Sequence, residues 1–161
     1  MAARKPVVIN SGRFQVLQAG DILDAPQSGG DQIILTNANV GALVIGTPVY
    51  VSGNDQIDKS KADASGTTKP IGLVNTTSIA PAGSGPVLIN GVLTATTGQW
   101  DAVVTGGSGG LVAGTIYYLS SATAGMLTST APSAAGTYVT QIGIALSTTE
   151  LFVDVKAEIL L

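Results

Sequence analysis

The stretch GALVIGTPVYV, at Gly41–Val51, recurs later in the chain as GLVAGTIYYL, at Gly110–Leu119. Both copies place a Gly-Thr pair before a run rich in β-branched and aromatic residues, which is typical of a strand entered from a turn. Glycine adopts the positive φ of such a turn at little steric cost. We therefore expect a positive φ at Gly46 and Gly114, with a strand after each.

The correspondence continues in the same order beyond this stretch. The later matches pair Ile57 with Leu127, Ala62 with Ala131, Ile71–Val74 with Ile142–Ala145, and Val87–Ile89 with Leu151–Val155. Glycine inside a strand usually marks a bulge or the close approach of another backbone, as we expect at Gly72 and Gly143. The pattern predicts two similar β halves. The alternative is that low-complexity Gly/Thr sequence aligns with itself by chance.

Period-two alternation near the C-terminus predicts one long strand with a buried face. One side of it consists of Leu151, Val153, Val155, Ala157, Ile159 and Leu161, and the other of Glu150, Phe152, Asp154, Lys156, Glu158 and Leu160. The other β-rich segments are Thr47–Val51, Lys69–Val74, Pro86–Leu93, Thr115–Leu119 and Tyr138–Leu146. The best candidate for a helical turn is Thr97–Val103, around the single tryptophan, Trp100.

These signals predict an all-β fold, a sandwich or barrel of about eight to ten short strands with an extended N-terminal arm. The expected division is an N-terminal arm and first strand at 1–22, a first β half at 23–100 and a second β half at 101–161. The two halves form either separate units or one compact domain.

The composition argues against catalysis. The chain contains no cysteine and no histidine, which excludes disulfides, thiol nucleophiles, imidazole bases and zinc sites built on these residues. Only 11% of the residues are charged, and the net charge is −3. The electrostatic signature of a nucleic-acid-binding protein is absent. We expect no enzymatic activity, no catalytic residues, no cofactor, no bound metal and no nucleic-acid partner.

Three motifs that might carry chemistry have plainer interpretations. Asn54, Asp55, Asp58 and Asp63 crowd one loop but lack the spacing of a calcium loop, so a solvated hairpin tip is expected. The glycine-rich run 106–110 has no Lys-Ser/Thr after it, which favours a flexible connector over a phosphate cradle. Glu150 and Asp154 are four residues apart on the predicted strand and are expected to face solvent.

Charge is unevenly distributed along the chain. Between Ile71 and Thr149 the only charged residue is Asp101. A surface so poor in charge is a solubility risk for a free monomer, and it favours burial against partner subunits. No stretch approaches the roughly 20 uninterrupted apolar residues of a membrane span, so no membrane partner is expected.

Four residues are candidates for capsid or subunit contacts. Arg4, Lys5 and Arg13 form a basic N-terminal segment that reaches an acidic neighbour or is merely a frayed tail. Trp100 is either a core anchor of its half or an interface hot spot.

Several stretches of the chain are similar to virion proteins of tailed bacteriophages. The opening ARKPVVINSGRFQVLQAGDILDAP, at 3–26, resembles the start of many such proteins. The segments IGLV at 71–74, GPVLINGV through LTSTAP at 85–132 and IGIALSTTELFVDV at 142–155 resemble repeats of phage capsid decoration (cement) proteins. They also resemble modules of head, neck and tail fibre proteins.

The resemblance implies a structural component of the virion. A decoration protein binds the outer surface of the major capsid protein lattice as an oligomer, commonly a homotrimer, and stabilises the expanded head. The implied location is the outer capsid surface, after synthesis in the bacterial cytoplasm. The alternative is a head-binding or receptor-binding module of a neck or tail fibre or spike. A carbohydrate-binding or carbohydrate-active domain is a third possibility, which the low aromatic content of 4% disfavours.

Overall fold

The computed structural model describes residues 30–161 and, in the segment before them, two short strands, β1 (Val7–Asn10) and β2 (Arg13–Val16), which pair antiparallel. The rest of the predicted arm lies outside the described residues.

From residue 30 onward the chain forms strands and one short helix. In chain order these elements are β3 Gly30–Asn37, β4 Leu43–Val44, β5 Pro48–Gly53, β6 Gln56–Lys59, β7 Gly72–Val74, β8 Ser78–Ile79, β9 Ser84–Thr94, α1 Thr97–Asp101, β10 Ile116–Leu119, β11 Leu127–Thr128, β12 Tyr138–Val139, β13 Gln141–Ala145, β14 Glu150–Asp154 and β15 Ile159–Leu160. The largest sheet contains nine strands. The predicted all-β fold is confirmed.

Five strands of the first half close into a small barrel. Their order is β9-β3-β6-β5-β7, and β7 pairs back onto β9. All neighbours are antiparallel except β3 and β6, which run parallel. Strands β4 and β8 pair antiparallel with each other in a separate two-stranded sheet. The apolar residues that form this core are Leu35, Leu43, Val49, Ile57, Val74, Ile79 and Val87.

The second half repeats the order of four of these strands. Its strand order β11-β10-β13-β14 corresponds to β6-β5-β7-β9 of the first half. A parallel bridge between Val104 and Leu127 stands where β3 meets β6. The residues equivalent to Leu43, Val49, Ile57, Val74 and Val87 are Leu111, Tyr117, Leu127, Ala145 and Leu151, and all of them are buried.

The turn before each repeated strand has the predicted conformation. Gly46 has a φ of 81° and Gly114 a φ of 79°. The amide of Gly46 donates to the carbonyl of Val74 at 2.9 Å, and the amide of Gly114 donates to the carbonyl of Ala145 at 2.8 Å. The same hydrogen bond therefore ties the same turn to the same strand in both halves.

The strand glycines are also equivalent. A Cβ atom built on Gly72 would lie 2.1 Å from the carbonyl oxygen of Leu88, and one built on Gly143 would lie 2.1 Å from that of Phe152. Another backbone approaches closely at both sites, as predicted. The shared contact also fixes the correspondence of Leu88 with Phe152.

Strand β9 belongs to both halves. Its first part pairs with β3 and β7 in the first barrel. Its last part, Asn90–Thr94, pairs with β14 of the second half. Leu88 on β9 and Leu73 on β7 lie in the core cluster of the second half, not in that of the first. The outer wall of the first barrel is thus part of the second core.

The predicted long C-terminal strand is wrong in its length. Strand β14 ends at Asp154, and the chain resumes as β15, which pairs with β12 and not with the main sheet. The amide of Lys156 donates to the carbonyl of Gln141 at 3.0 Å between the two strands. Because β13 begins at Gln141 and β12 ends at Val139, the antiparallel C-terminal segment changes its partner strand there. Leu151 and Val153 are buried, whereas Ile159 and Leu161 are exposed.

Candidate interaction surface

Trp100 lies in the core on helix α1. The helix begins with a capping box, in which the amide of Gln99 donates to Thr96 Oγ1 at 3.3 Å and the amide of Thr96 donates to Gln99 Oε1 at 2.8 Å. The indole is fully buried, and its Nε1 donates to the carbonyl of Thr149 at 3.0 Å. Of the two roles expected for Trp100, its burial supports that of a core anchor. This corrects its assignment as a contact residue, because a buried indole offers no surface to a partner.

The basic contact candidates precede the described core. Arg4 and Lys5 lie outside the described residues. Arg13 begins β2, and its side chain lies outside the described part of the chain. Their role in capsid binding stays a prediction.

Asp101 holds the glycine-rich loop that follows α1. Its Oδ1 accepts a hydrogen bond from the amide of Gly110 at 2.8 Å, and its Oδ2 accepts one from the amide of Gly109 at 3.0 Å. Gly106, Gly109 and Gly110 all have positive φ. The run is therefore fixed by hydrogen bonds to a carboxylate, which corrects the expectation of a flexible connector. The lone charge of this region has a structural role.

An apolar row crosses the outer face of the main sheet in the second half. The strand register places Ile116 opposite Ile144, Ile144 opposite Phe152, and Phe152 opposite Val92. Directly opposed residues on neighbouring strands have Cβ atoms within about 5.5 Å, so the four side chains form one continuous strip. We call this strip the outer row. Ile144 and Phe152, at its centre, are 39% and 38% exposed.

Two further exposed apolar side chains lie in the segments next to β13 and β10. Leu146 follows β13 and is 52% exposed. Its amide donates to the carbonyl of Glu150 at 2.8 Å, at the start of β14. Val112 is also exposed, in the turn whose Gly114 bonds to Ala145. Residues 102–149, which supply two strands of this face and its loops, contain no charged side chain.

The outer row has one partial signal in the sequence. Phe152 stands among Glu150, Asp154 and Lys156 on the side of the alternating segment that opposes the buried one. A large aromatic residue on a solvent-facing side is informative, because exposed apolar clusters mark interaction sites. Its neighbours Ile144 and Val92 come from distant parts of the chain, and only the strand register brings them together.

A concave surface, separate from the outer row, lies where the two halves meet. It is an open groove of about 670 Å³ between β3, β5 and β9 on one side and the segment after β14 on the other. Ile33, Ile71, Ile89 and Val155 contribute apolar lining. Lys69 Nζ lies 3.5 Å from Glu158 Oε1 at its edge. This ion pair is largely exposed on the lysine side, and such pairs contribute little to stability.

The remaining motifs have structural positions. Asn54 and Asp55 form the turn of the β5–β6 hairpin, where a solvated tip was predicted, and Asp58 Oδ1 accepts from Asn39 Nδ2 at 2.7 Å. Within the described part of the chain, no group of three or more acidic side chains is arranged to hold a metal ion. No helix among the described residues is long and apolar enough to span a bilayer.

No protein family model matches this chain, and no curated protein sequence matches it either.

Proposed function

We propose that this protein is a virion structural protein of a tailed bacteriophage, a decoration protein that binds the outer surface of the major capsid protein lattice as a homo-oligomer, commonly a trimer in such proteins. In this role it stabilises the expanded head. The observation that carries the proposal is the charge-poor, partly apolar exterior of the second half, in which residues 102–149 contain no charged side chain. Such a surface suits a protein held among identical neighbours better than a free monomer.

The construction of the core supports a mechanical role. The first barrel and the second half share strand β9, and the backbones at Gly72 and Gly143 approach neighbouring carbonyl groups closely. Interiors packed in this way have low compressibility and transmit strain. A clamp that holds an expanded lattice together needs this property. A protein that binds only the expanded lattice stabilises it by mass action.

The charge distribution supports a second contact. Arg4, Lys5 and Arg13 are the only charged residues among the first thirteen, and all three are basic. The chain from residue 30 onward carries more acidic than basic side chains. A basic segment joined to an acidic body can bind an acidic lattice while the body is repelled from it, which fixes the orientation of the bound protein.

Binding to capsids tests the proposal directly. Expanded capsids that lack decoration should co-sediment with the purified protein and then release their genome at a higher temperature. The variant Arg4→Ser/Lys5→Ser/Arg13→Ser should bind more weakly, with the difference shrinking at high salt, because exposed charges are screened. Equal thermal stability of capsids with and without bound protein contradicts cementing.

The copy number separates the decoration role from the fibre alternative. A decoration protein covers the whole lattice and is present in many copies, whereas a neck or tail fibre module is present in few. Densitometry of the protein against the major capsid protein in purified virions measures the ratio. A low ratio, with the protein located at the neck or at a single vertex, supports the fibre module and contradicts decoration.

A further inference from the structure

The groove between the two halves is the open end of the first barrel. Ile33 lies opposite Val87, and Val51 lies opposite Ile57. Directly opposed residues of antiparallel strands share one face of a sheet, and both Val87 and Ile57 belong to the core of this barrel. Ile33 and Val51 therefore face inward, although Val51 is 53% exposed. We use the name open mouth for the apolar residues that line this end, Ile33, Val51, Ile71 and Ile89.

The same end of the second half is closed. By strand register and repeated sequence, the equivalents of Ile33, Val51, Ile71 and Ile89 are, in that order, Leu93, Leu119, Ile142 and Val153. All four equivalents are fully buried. The repeated unit thus forms this end twice, and the described part of the chain covers it once.

A loop of the first half closes the second half. It follows β6 at residues 60–68, and we call it the covering loop. Ala62 in this loop is fully buried in the core cluster of the second half. Its amide donates to the carbonyl of Ser120, next to Leu119, at 3.0 Å, and its carbonyl accepts from the amide of Tyr138 at 3.0 Å. The loop of one unit therefore seats on the mouth of the other.

The second half contains an equivalent loop, which follows β11 at residues 129–137, and we call it the free loop. In the covering loop the amide and hydroxyl of Thr67 donate to the carbonyl of Ala64 at 3.0 and 3.2 Å. In the free loop the amide and hydroxyl of Thr137 donate to the carbonyl of Ala134 at 3.1 and 2.6 Å. Residues 133–136 of the free loop are exposed. One chain thus presents both an open mouth and, at its surface, a loop of the kind that covers one.

The charges at the groove permit the free loop to enter. Residues 129–137 contain no charged side chain, and all but Pro132 are Ser, Thr, Ala or Gly. The charged residues that line the groove pair with each other, as Lys69 with Glu158 and Lys156 with Asp154. The two surfaces differ, so no charged residue has to face its own copy, as it would at a twofold axis.

We propose that copies of this chain associate head to tail, with the free loop of one copy in the open mouth of the next. The contact repeats between copies the one that the covering loop makes within each chain. It brings Ala131, the equivalent of Ala62, close to Val51 of the next copy. Heterologous contacts of this kind generate a ring when the rotation between copies closes, and the proposed trimer is such a ring. This inference rests on the self-association contained in the proposed function and does not depend on capsid binding.

Two single-cysteine variants test the contact. Because the chain has no cysteine, Val51→Cys and Ala131→Cys each carry a unique thiol. When the two variants are produced together and mildly oxidised, the mixed dimer should exceed each symmetric dimer by at least about tenfold, because the contact raises the effective concentration of unlike thiols only. Intact mass distinguishes the three dimers. Val40→Cys in place of Val51→Cys is the control, since Val40 is 96% exposed and lies outside the open mouth. It should give no excess of mixed dimer.

A charge placed in the open mouth tests the same surface in solution. The wild-type chain should have a molar mass that is a multiple of 16.0 kDa by size-exclusion chromatography with light scattering. Val51→Asp should weaken self-association by at least about tenfold, because the contact would bury an unpaired carboxylate. The matched control, Val40→Asp, should leave the mass unchanged.

The outcomes separate this inference from the proposed function. An oligomeric wild type that survives Val51→Asp, without an excess of mixed dimer, overturns the head-to-tail contact and leaves decoration standing. A disulfide that forms within one chain between Ile9→Cys and Val51→Cys overturns it in favour of the N-terminal segment as the occupant. A wild type that is monomeric at every concentration overturns the self-association itself. Failure to co-sediment with capsids, with the mixed dimer in excess, contradicts decoration alone.

Discussion

Trp100 lies with the edge of its indole against Gly46, so that a Cβ atom built on Gly46 would lie only 3.0 Å from Cζ3 of the ring. Gly46 belongs to the first half, and Trp100 follows β9 and bonds to Thr149 of the second. The contact connects a turn of one half with the helix that leads into the other. It explains why the one tryptophan of the chain is buried.

Gly46→Ala should destabilise the protein more than the equivalent change Gly114→Ala. Both residues have positive φ, which costs a residue with a side chain about 1–2 kcal/mol. At Gly46 the new methyl group would also meet Trp100 and Val103, each at 3.0 Å, whereas at Gly114 there is nothing within 4 Å. Overpacking adds about 1–3 kcal/mol. Urea unfolding of both variants measures the difference, and equal losses would show that the indole does not press on this turn.

Gly72→Ala and Gly143→Ala should each prevent folding or reduce stability by more than about 3 kcal/mol. In both variants the methyl group would stand 2.1 Å from a backbone carbonyl oxygen, which no rotamer change relieves. Gly66→Ala is the control, because nothing lies within 4 Å of its Cβ position and its φ is not positive. Its stability should stay within about 0.5 kcal/mol of the wild type. Thermal unfolding followed by circular dichroism measures the stability of all three variants. A small loss of stability in Gly72→Ala would contradict the close approach of the β9 backbone to Gly72.

The fluorescence of Trp100 should report a buried indole. As the only tryptophan and a fully buried one, it should emit at short wavelength and be protected from quenching by iodide. Unfolding in urea should shift the emission to the red and expose the ring to iodide. Quenching of the native protein as strong as that of the unfolded chain would contradict the placement of α1.

Trp100→Phe separates the polar contact of the indole from its packing. The variant keeps an aromatic ring but loses the hydrogen bond to Thr149 and part of the buried volume, which together should cost about 1–3 kcal/mol. Trp100→Ala should cost more, about 3–5 kcal/mol. Unfolding followed by circular dichroism measures both, and an unchanged stability in Trp100→Ala would contradict its role as a core anchor.

Asp101→Asn should loosen the glycine-rich loop. Both carboxylate oxygens accept backbone hydrogen bonds, from Gly109 and Gly110, so an amide group must turn a donor toward one of them. We expect a loss of about 1–2 kcal/mol and faster hydrogen exchange in residues 106–110. Asp63→Asn is the control, because its ion pair with Lys61 lies at the surface. It should change stability by less than about 1 kcal/mol. Equal effects at the two sites would show that Asp101 does not order the loop.

The sequence predicted the repeated strands well, because their signals are local. Turn glycines, strand glycines and β-branched runs recur in the same order, and each has its counterpart in the structure. The helical turn around Trp100 was also predicted, and its end lies within two residues of the predicted one.

Strand β3 was not predicted, since its apolar residues do not alternate cleanly. Ile33 and Ile34 are adjacent and both exposed, while Leu35 alone of the three is buried. The strand is placed by its pairing with β9 and β6, which no local pattern encodes. The end of β14 at Asp154 has no signal in the sequence. The alternation of apolar and polar residues continues through Lys156 and Glu158, although the chain has left the main sheet by then.

The outer row could be identified only from the tertiary structure, because the strand register assembles it from distant parts of the chain. In the sequence Ile144 looks like a core residue, as its equivalent Leu73 does, whereas Phe152 stands among charged residues. Which of Leu73 and Ile144 is covered depends on how the second half packs over the first, and this follows from the path of β9.

Sharing β9 also makes the two halves mechanically inseparable. A cut near α1 would strip the second half of one wall and leave Leu73 and Leu88 bare on the first, so neither fragment inherits a complete interior. A pull between residue 30 and the C-terminus would load both halves through this single strand. We expect them to rupture together, as one event.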